Sequence, residues 1–177
     1  EMSQISHNIY DLDLAFAPAM SNNSHAQAIM KGAEMKTKAN NIAETLLDLE
    51  RSLNERWSTG DSSGYLDNYH EDISYFDPVV ETLLVGRAAV VAHLTKLYKN
   101  PHIVRNEYLH PHVIISEGGD LAVLSYNLNT FVLDESGAEK MLRAWNSTEV
   151  YRLIDGQWRI VHANWGLTKS VVVASAS

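Results

Sequence analysis

Residues 57–90 read WSTGDSSGYLDNYHEDISYFDPVVETLLVGRAAV. Within this stretch one helix ends, a short one follows, a strand runs and another helix begins. Gly60 closes the first helix, and Asp61 is placed to cap the shorter one, which carries Tyr65, Leu66 and Tyr69 on one side. The strand is DISYF, and the proline after it at 78 is tolerable only at a strand end or edge, because it has no N–H to give. Gly86 opens a run in which Ala88, Val91, Leu94 and Tyr98 mark one helical face, stopped by Asn100-Pro101. Asp77, between an apolar run and that proline, has two readings. It either forms the turn by bonding nearby backbone N–H groups or faces an apolar pocket as a base.

Upstream, Asn41 with Glu44 three residues later makes a capping-box signal, and Ile42, Leu46, Leu49, Leu53 and Trp57 follow as a helical stripe. Before it, residues 1–38 show weak periodicity and read as a tail or an ancillary helix around Ala26–Lys36. Downstream, 102–116, 121–133, 141–154 and 158–165 are rich in Val, Leu, Tyr, Phe and Trp. EGGD, DESGAE and the Asp155-Gly156 pair supply hairpin turns, the last of type I′. The order predicts an α+β domain over 39–170, with about three helices on one face of a curled, cone-shaped antiparallel sheet and a short tail at 171–177. The space between the first helix and the sheet is the natural pocket.

Composition narrows the partners. With 177 residues, 45% hydrophobic, the chain fits one domain with a real core. A formal charge of −8 opposes binding to nucleic acid or anionic lipid. There is no cysteine for a disulfide, a thiolate nucleophile or a thiolate zinc site. No run approaches a membrane span in length. The chain starts at Glu1, so the compartment stays open: cytoplasmic is the plainer reading, and periplasmic follows if a leader has been removed.

Strand alternation groups Tyr75 with Asp77, and Met141, Arg143, Trp145, Ser147, Glu149 and Tyr151 together. The last strand offers two sets, Val161, Ala163 and Trp165 against Trp158, Ile160, His162 and Asn164, and either can be the concave one. Trp57, Tyr65, Tyr69, Trp145 and Trp165 read as cavity lining or as core. His110 and His112 share a strand face at metal-ligand spacing, and His162 can join them from another strand.

The stretch from Trp57 to Val90, with STEVYRLIDGQWRIVHANWG at 147–166, resembles the nuclear transport factor 2-like superfamily, which includes ketosteroid isomerases, SnoaL-like cyclases and the association domain of calcium/calmodulin-dependent kinase. The resemblance implies a cystatin-like roll enclosing a pocket, with no metal and no cofactor. Against the isomerase branch, Asp77 falls on the general-base aspartate and Glu149 on a protonated aspartate of the oxyanion hole. The tyrosine donor of that hole is replaced by Leu53. The kinase branch implies a ring-shaped homo-oligomer with a pocket carrying arginines, two of whose positions hold Asn127 and Glu149 here. Glu149 has a second reading, an ion pair with Arg143 or Arg152.

Two functions follow. In the first, a pocket takes a small, largely apolar molecule lined by Trp57, Tyr65, Tyr69, Tyr75, Asn127, Trp145, Val161, Ala163 and Trp165. Asp77 and Glu149 then transfer a proton next to a carbonyl, as in a cofactor-independent isomerase or cyclase-like lyase. In the second, the chain is a non-catalytic association module that forms a homodimer or larger homo-oligomer through its sheet.

Overall fold

The computed structural model describes residues 22–98 and 102–168. Most of the expected N-terminal tail, the 171–177 tail and the Asn100-Pro101 stop lie outside them. The elements are α1 (Asn22–Ser58), α2 (Ser63–Asn68), β1 (Tyr69–Phe76), β2 (Leu84–Val85), α3 (Arg87–Leu97), β3 (Arg105–Ile115), β4 (Leu121–Leu133), β5 (Glu139–Ile154) and β6 (Gln157–Leu167). The chain divides into two units, Glu1–Thr37 and Lys38–Ser177. In the first, the helical residues 25–37 are exposed.

α1 corrects the reading of its own start. Asn41 does not cap a new helix; it lies inside one, and its carbonyl accepts the Thr45 hydroxyl at 2.8 Å. Residues 24–40 hold no proline and are rich in Ala, Lys and Met, so helix propensity carries the backbone through the capping-box signal. At the other end, Asp61 N–H reaches back to Arg56 C=O at 2.8 Å, and the Asp61 carboxylate accepts Ser63 N–H at 3.0 Å, starting α2.

The six strands lie in the order β2-β1-β6-β5-β4-β3. The sheet is mixed, because β1 runs parallel to β6 while every other pair is antiparallel. Asp155 and Gly156, at φ 49° and 76°, make the expected tight turn between β5 and β6. Register shifts interrupt β3 between Leu109 and His112, β5 opposite Thr130/Phe131 and β6 opposite Val150/Tyr151. Such bulges bend a strand and increase its twist, which curls the sheet.

The bulges also reassign faces. In β6, Ile160 stands opposite Tyr151 and Ala163 opposite Glu149, both fully buried, with the extra residue at 161 between them. Neither alternating set on this strand survives, because one inserted residue flips everything beyond it. In β5 the extra residue at 142 separates Met141, 48% exposed, from the Trp145 face. His110 adopts φ 52° within the β3 bulge, so its expected pairing with His112 on one regular face is broken.

The core joins Leu46 of α1, Ile73 of β1, Val90 of α3, Leu124 of β4 and Ile160 of β6, all fully buried. On α3, Leu94 of the expected face is buried and Val91 and Tyr98 are half-buried, while Ala88 is exposed and Val90, outside that face, is fully buried against the core. Gly86 starts this helix at φ 90° and ψ 137°, with its N–H bonded to Ile73 C=O at 2.8 Å. Any Cβ is strained there. Gly86→Ala is therefore expected to lower unfolding free energy by about 1–3 kcal/mol in urea titrations, although the added methyl meets nothing closer than the Glu71 carbonyl oxygen at 3.8 Å.

Candidate functional site

A cavity of about 580 Å³ opens between α1, α3 and the inner face of the sheet. Its wall is rich in aromatic side chains: Trp57, Tyr65, Tyr69, Tyr75, Trp145 and Trp165 all line it. Trp165 organises the deep part, with Tyr65, Tyr126 and Trp145 meeting it edge-on at 6.0–6.3 Å between ring centres. At the opening, Val79, Leu97 and Leu142 line the cavity while remaining 62%, 43% and 41% exposed. Three expected lining residues are not on this wall. Asn127 donates to Trp145 C=O at 3.3 Å, Ala163 is packed in the core, and Val161 sits in the β6 bulge.

Asp77 lines the cavity and is its only acidic side chain among the described residues. It forms the turn and also faces the cavity. Oδ1 accepts the backbone N–H groups of Val79 and Val80 at 2.9 and 3.0 Å, building the turn that Pro78 enters. Oδ2 meets His93 Nε2 at 2.7 Å, with a longer contact from the Tyr75 hydroxyl at 3.4 Å. The Asp77 side chain is only 8% exposed. His93 reads in sequence as a helix flank; its partnership with Asp77 spans sixteen positions and arises only when α3 packs against β1.

Behind the wall lies a group that sequence reasoning missed. Glu50 of α1 is fully buried. Its Oε1 accepts the hydroxyls of Tyr65 and Tyr126 at 2.5 Å each and the Asn54 amide at 3.0 Å. Its Oε2 accepts the Tyr151 hydroxyl. Four donors on one carboxylate replace the water it has lost. The available signal was position: Glu50 falls four residues after Leu46 and three before Leu53, inside the apolar stripe.

Glu149 is the second acid of this cluster and does not line the cavity. Tyr151 Oη lies 2.8 Å from its Oε2 and also contacts Glu50. A hydroxyl carries one proton, so one of these two contacts needs a proton from Glu149. Burial first, and then the charge of Glu50, push the Glu149 carboxyl well above the ordinary range, which supplies that proton. The alternative ion pair with Arg143 or Arg152 is not formed among the described residues. Leu53, which the resemblance sets against the isomerase tyrosine, is core at 4% exposure. Burial likewise raises Tyr65, Tyr69, Tyr126 and Tyr151 far above the usual phenol value, so each stays a neutral O–H donor.

No group of three His, Cys, Asp or Glu side chains is placed to hold a metal ion among the described residues. His162 instead meets the Ser74 hydroxyl at 2.8 Å. No described helix is long and apolar enough to cross a membrane.

The model of the family described as calcium/calmodulin dependent protein kinase II association domain matches residues 41–165. Among solved structures, a ketosteroid isomerase candidate from Parabacteroides distasonis is similar at 27% identity and TM-score 0.61, covering 72% of this chain and 88% of that one. The association domain of C. elegans calcium/calmodulin dependent protein kinase II is similar at 24% identity and TM-score 0.59, covering 71% and 94%. A nuclear transport factor 2-like protein with a cystatin-like fold from Novosphingobium aromaticivorans shares the fold at 17% identity and TM-score 0.57, covering 88% and 96%. No curated protein matches the chain.

The Glu149 proton has a measurable consequence. Its carboxyl binds a proton more tightly folded than unfolded, so its contribution to stability is greatest at low pH and declines as pH rises from the ordinary glutamate range toward its raised folded value. Glu149→Gln keeps a neutral donor in the same volume. Its stability relative to the wild type is expected to rise with pH in that window, by up to about 1.4 kcal/mol per pH unit. Denaturant titrations of both proteins across the pH series measure this difference.

Proposed function

Because the chain belongs to the calcium/calmodulin dependent protein kinase II association domain family, within the nuclear transport factor 2-like superfamily, we propose that it binds a small, largely apolar carbonyl compound in its cavity and transfers a proton next to that carbonyl. One observation carries this reading: Asp77 is the single carboxylate among the described residues of a wall made mostly of aromatic and aliphatic side chains. Asp77 is the proton acceptor. Of its contacts, the 3.4 Å one from Tyr75 is the weakest, and a substrate C–H aimed at Oδ2 displaces least there. The turn N–H groups and His93 hold the carboxylate in place.

The developing enolate oxygen needs a donor. Tyr69 lines the cavity, and its hydroxyl makes no hydrogen bond among the described residues. Kept neutral by burial, it takes the part left open by Leu53. Glu149 acts behind the wall, as the proton-bearing partner of Glu50 and Tyr151. The chemistry requires only these side chains.

A second reading is favoured by the family match itself: the chain self-associates through its sheet. Binding and assembly are compatible, since the cavity opens on the inner side of the curl.

Asp77→Asn is expected to slow deuterium exchange of the α-hydrogens of a cavity-bound ketone by about 10²–10⁴-fold with the circular dichroism unchanged. Exchange at the wild-type rate removes Asp77 as the base. For assembly, light scattering at micromolar concentration is expected to give a dimer or larger species; a monomer there rejects the second reading.

A further inference from the structure

The hydrogen-bonding capacity of the cavity wall is unevenly committed. Tyr65 gives its hydroxyl proton, and Asn54 an amide proton, to Glu50. Tyr75 donates to Asp77, whose two oxygens take three further contacts. Thr130 donates to Arg143 C=O at 3.3 Å. Besides the indole N–H groups of Trp57 and Trp145, two donors of the wall have no hydrogen-bond or ion-pair partner among the described residues, the Tyr69 hydroxyl and the Arg143 guanidinium. Both line the cavity.

Their positions differ. Tyr69 is 4% exposed, at the dry inner end. Arg143 is exposed, beside Leu142 at the opening, with its guanidinium 5.9 Å from the Trp145 ring centre. The cavity therefore has a neutral donor inside and a cation at its mouth, joined by aromatic wall.

We propose that Arg143 and Tyr69 select an organic acid: a guest with an apolar body, an acceptor oxygen at Tyr69 and a carboxylate at Arg143. This rests on the cavity being a binding site. A lone guanidinium matches a carboxylate by two parallel N–H···O bonds. A phosphate dianion fits less well, with one cation facing it and Asp77 in the same cavity. Seating the charged group at the mouth leaves it in contact with water, while only the body and the carbonyl are desolvated.

β-Benzoylpropionate and its methyl ester share a body and differ in this one charge, so calorimetric titration of both isolates the role of Arg143. The wild type is expected to bind the acid about tenfold or more tightly than the ester, with the preference shrinking as salt is added. Arg143→Gln, at an exposed position, is expected to abolish the preference and leave ester affinity unchanged. Tyr69→Phe removes an unpartnered hydroxyl, so the fold is retained while both guests weaken several-fold. Equal affinity of acid and ester for the wild type, or a preference that persists in Arg143→Gln, overturns the proposal. Failure of both guests to bind the wild type removes the binding-site reading beneath it, and this inference with it.

Discussion

A carboxylate buried away from water has to be surrounded by donors, and Glu50 meets that demand with side chains from four elements: Asn54 of α1, Tyr65 of α2, Tyr126 of β4 and Tyr151 of β5. Leaving any of them unbonded in the interior is costly, so the cluster specifies how the Lys38–Ser58 part of α1 sits on the sheet more sharply than apolar contact alone does. Apolar packing tolerates small slides, whereas four converging hydrogen bonds do not. The proton on Glu149 belongs to the same constraint, because two adjacent buried acids cannot both be charged without strong repulsion.

The cavity exists because of what this cluster consumes. Tyr65 and Asn54 face the cavity yet are tied to Glu50, so their polar atoms point away from a guest and their apolar surfaces form the wall. The edge-on rings around Trp165 cannot collapse into the space without breaking their own contacts. A concave, mostly apolar volume of about 580 Å³ is within the range that holds a small organic molecule. Chemistry is confined to a few groups on its surface, with the Asp77–His93 pair at one wall and Tyr69 further in.

Asp77 shows how one residue serves structure and site together. The backbone N–H groups it accepts form the turn after β1, and that turn aims its second oxygen at His93 and the cavity. Pro78 enforces the strand end that makes the turn possible. The carboxylate is thus held by elements whose own folding depends on it.

Local physics was legible in the chain. Strand-forming runs, the Asp155-Gly156 turn, the Asp-Pro strand end and the helical stripe from Ile42 to Trp57 gave the α+β order and placed the aromatic residues Trp57, Trp145 and Trp165 near the pocket, since each depends on residues within a few positions of one another. Tertiary structure alone decided the rest. Glu50 stands in the apolar stripe of its helix with no partner in view until three distant tyrosines close over it, His93 looks like a helix flank until α3 brings it to Asp77, and single-residue bulges moved Val161 and Met141 off the faces that strict alternation assigned. Desolvation and strand register are set by partners far away in the chain, and no local window of sequence contains them.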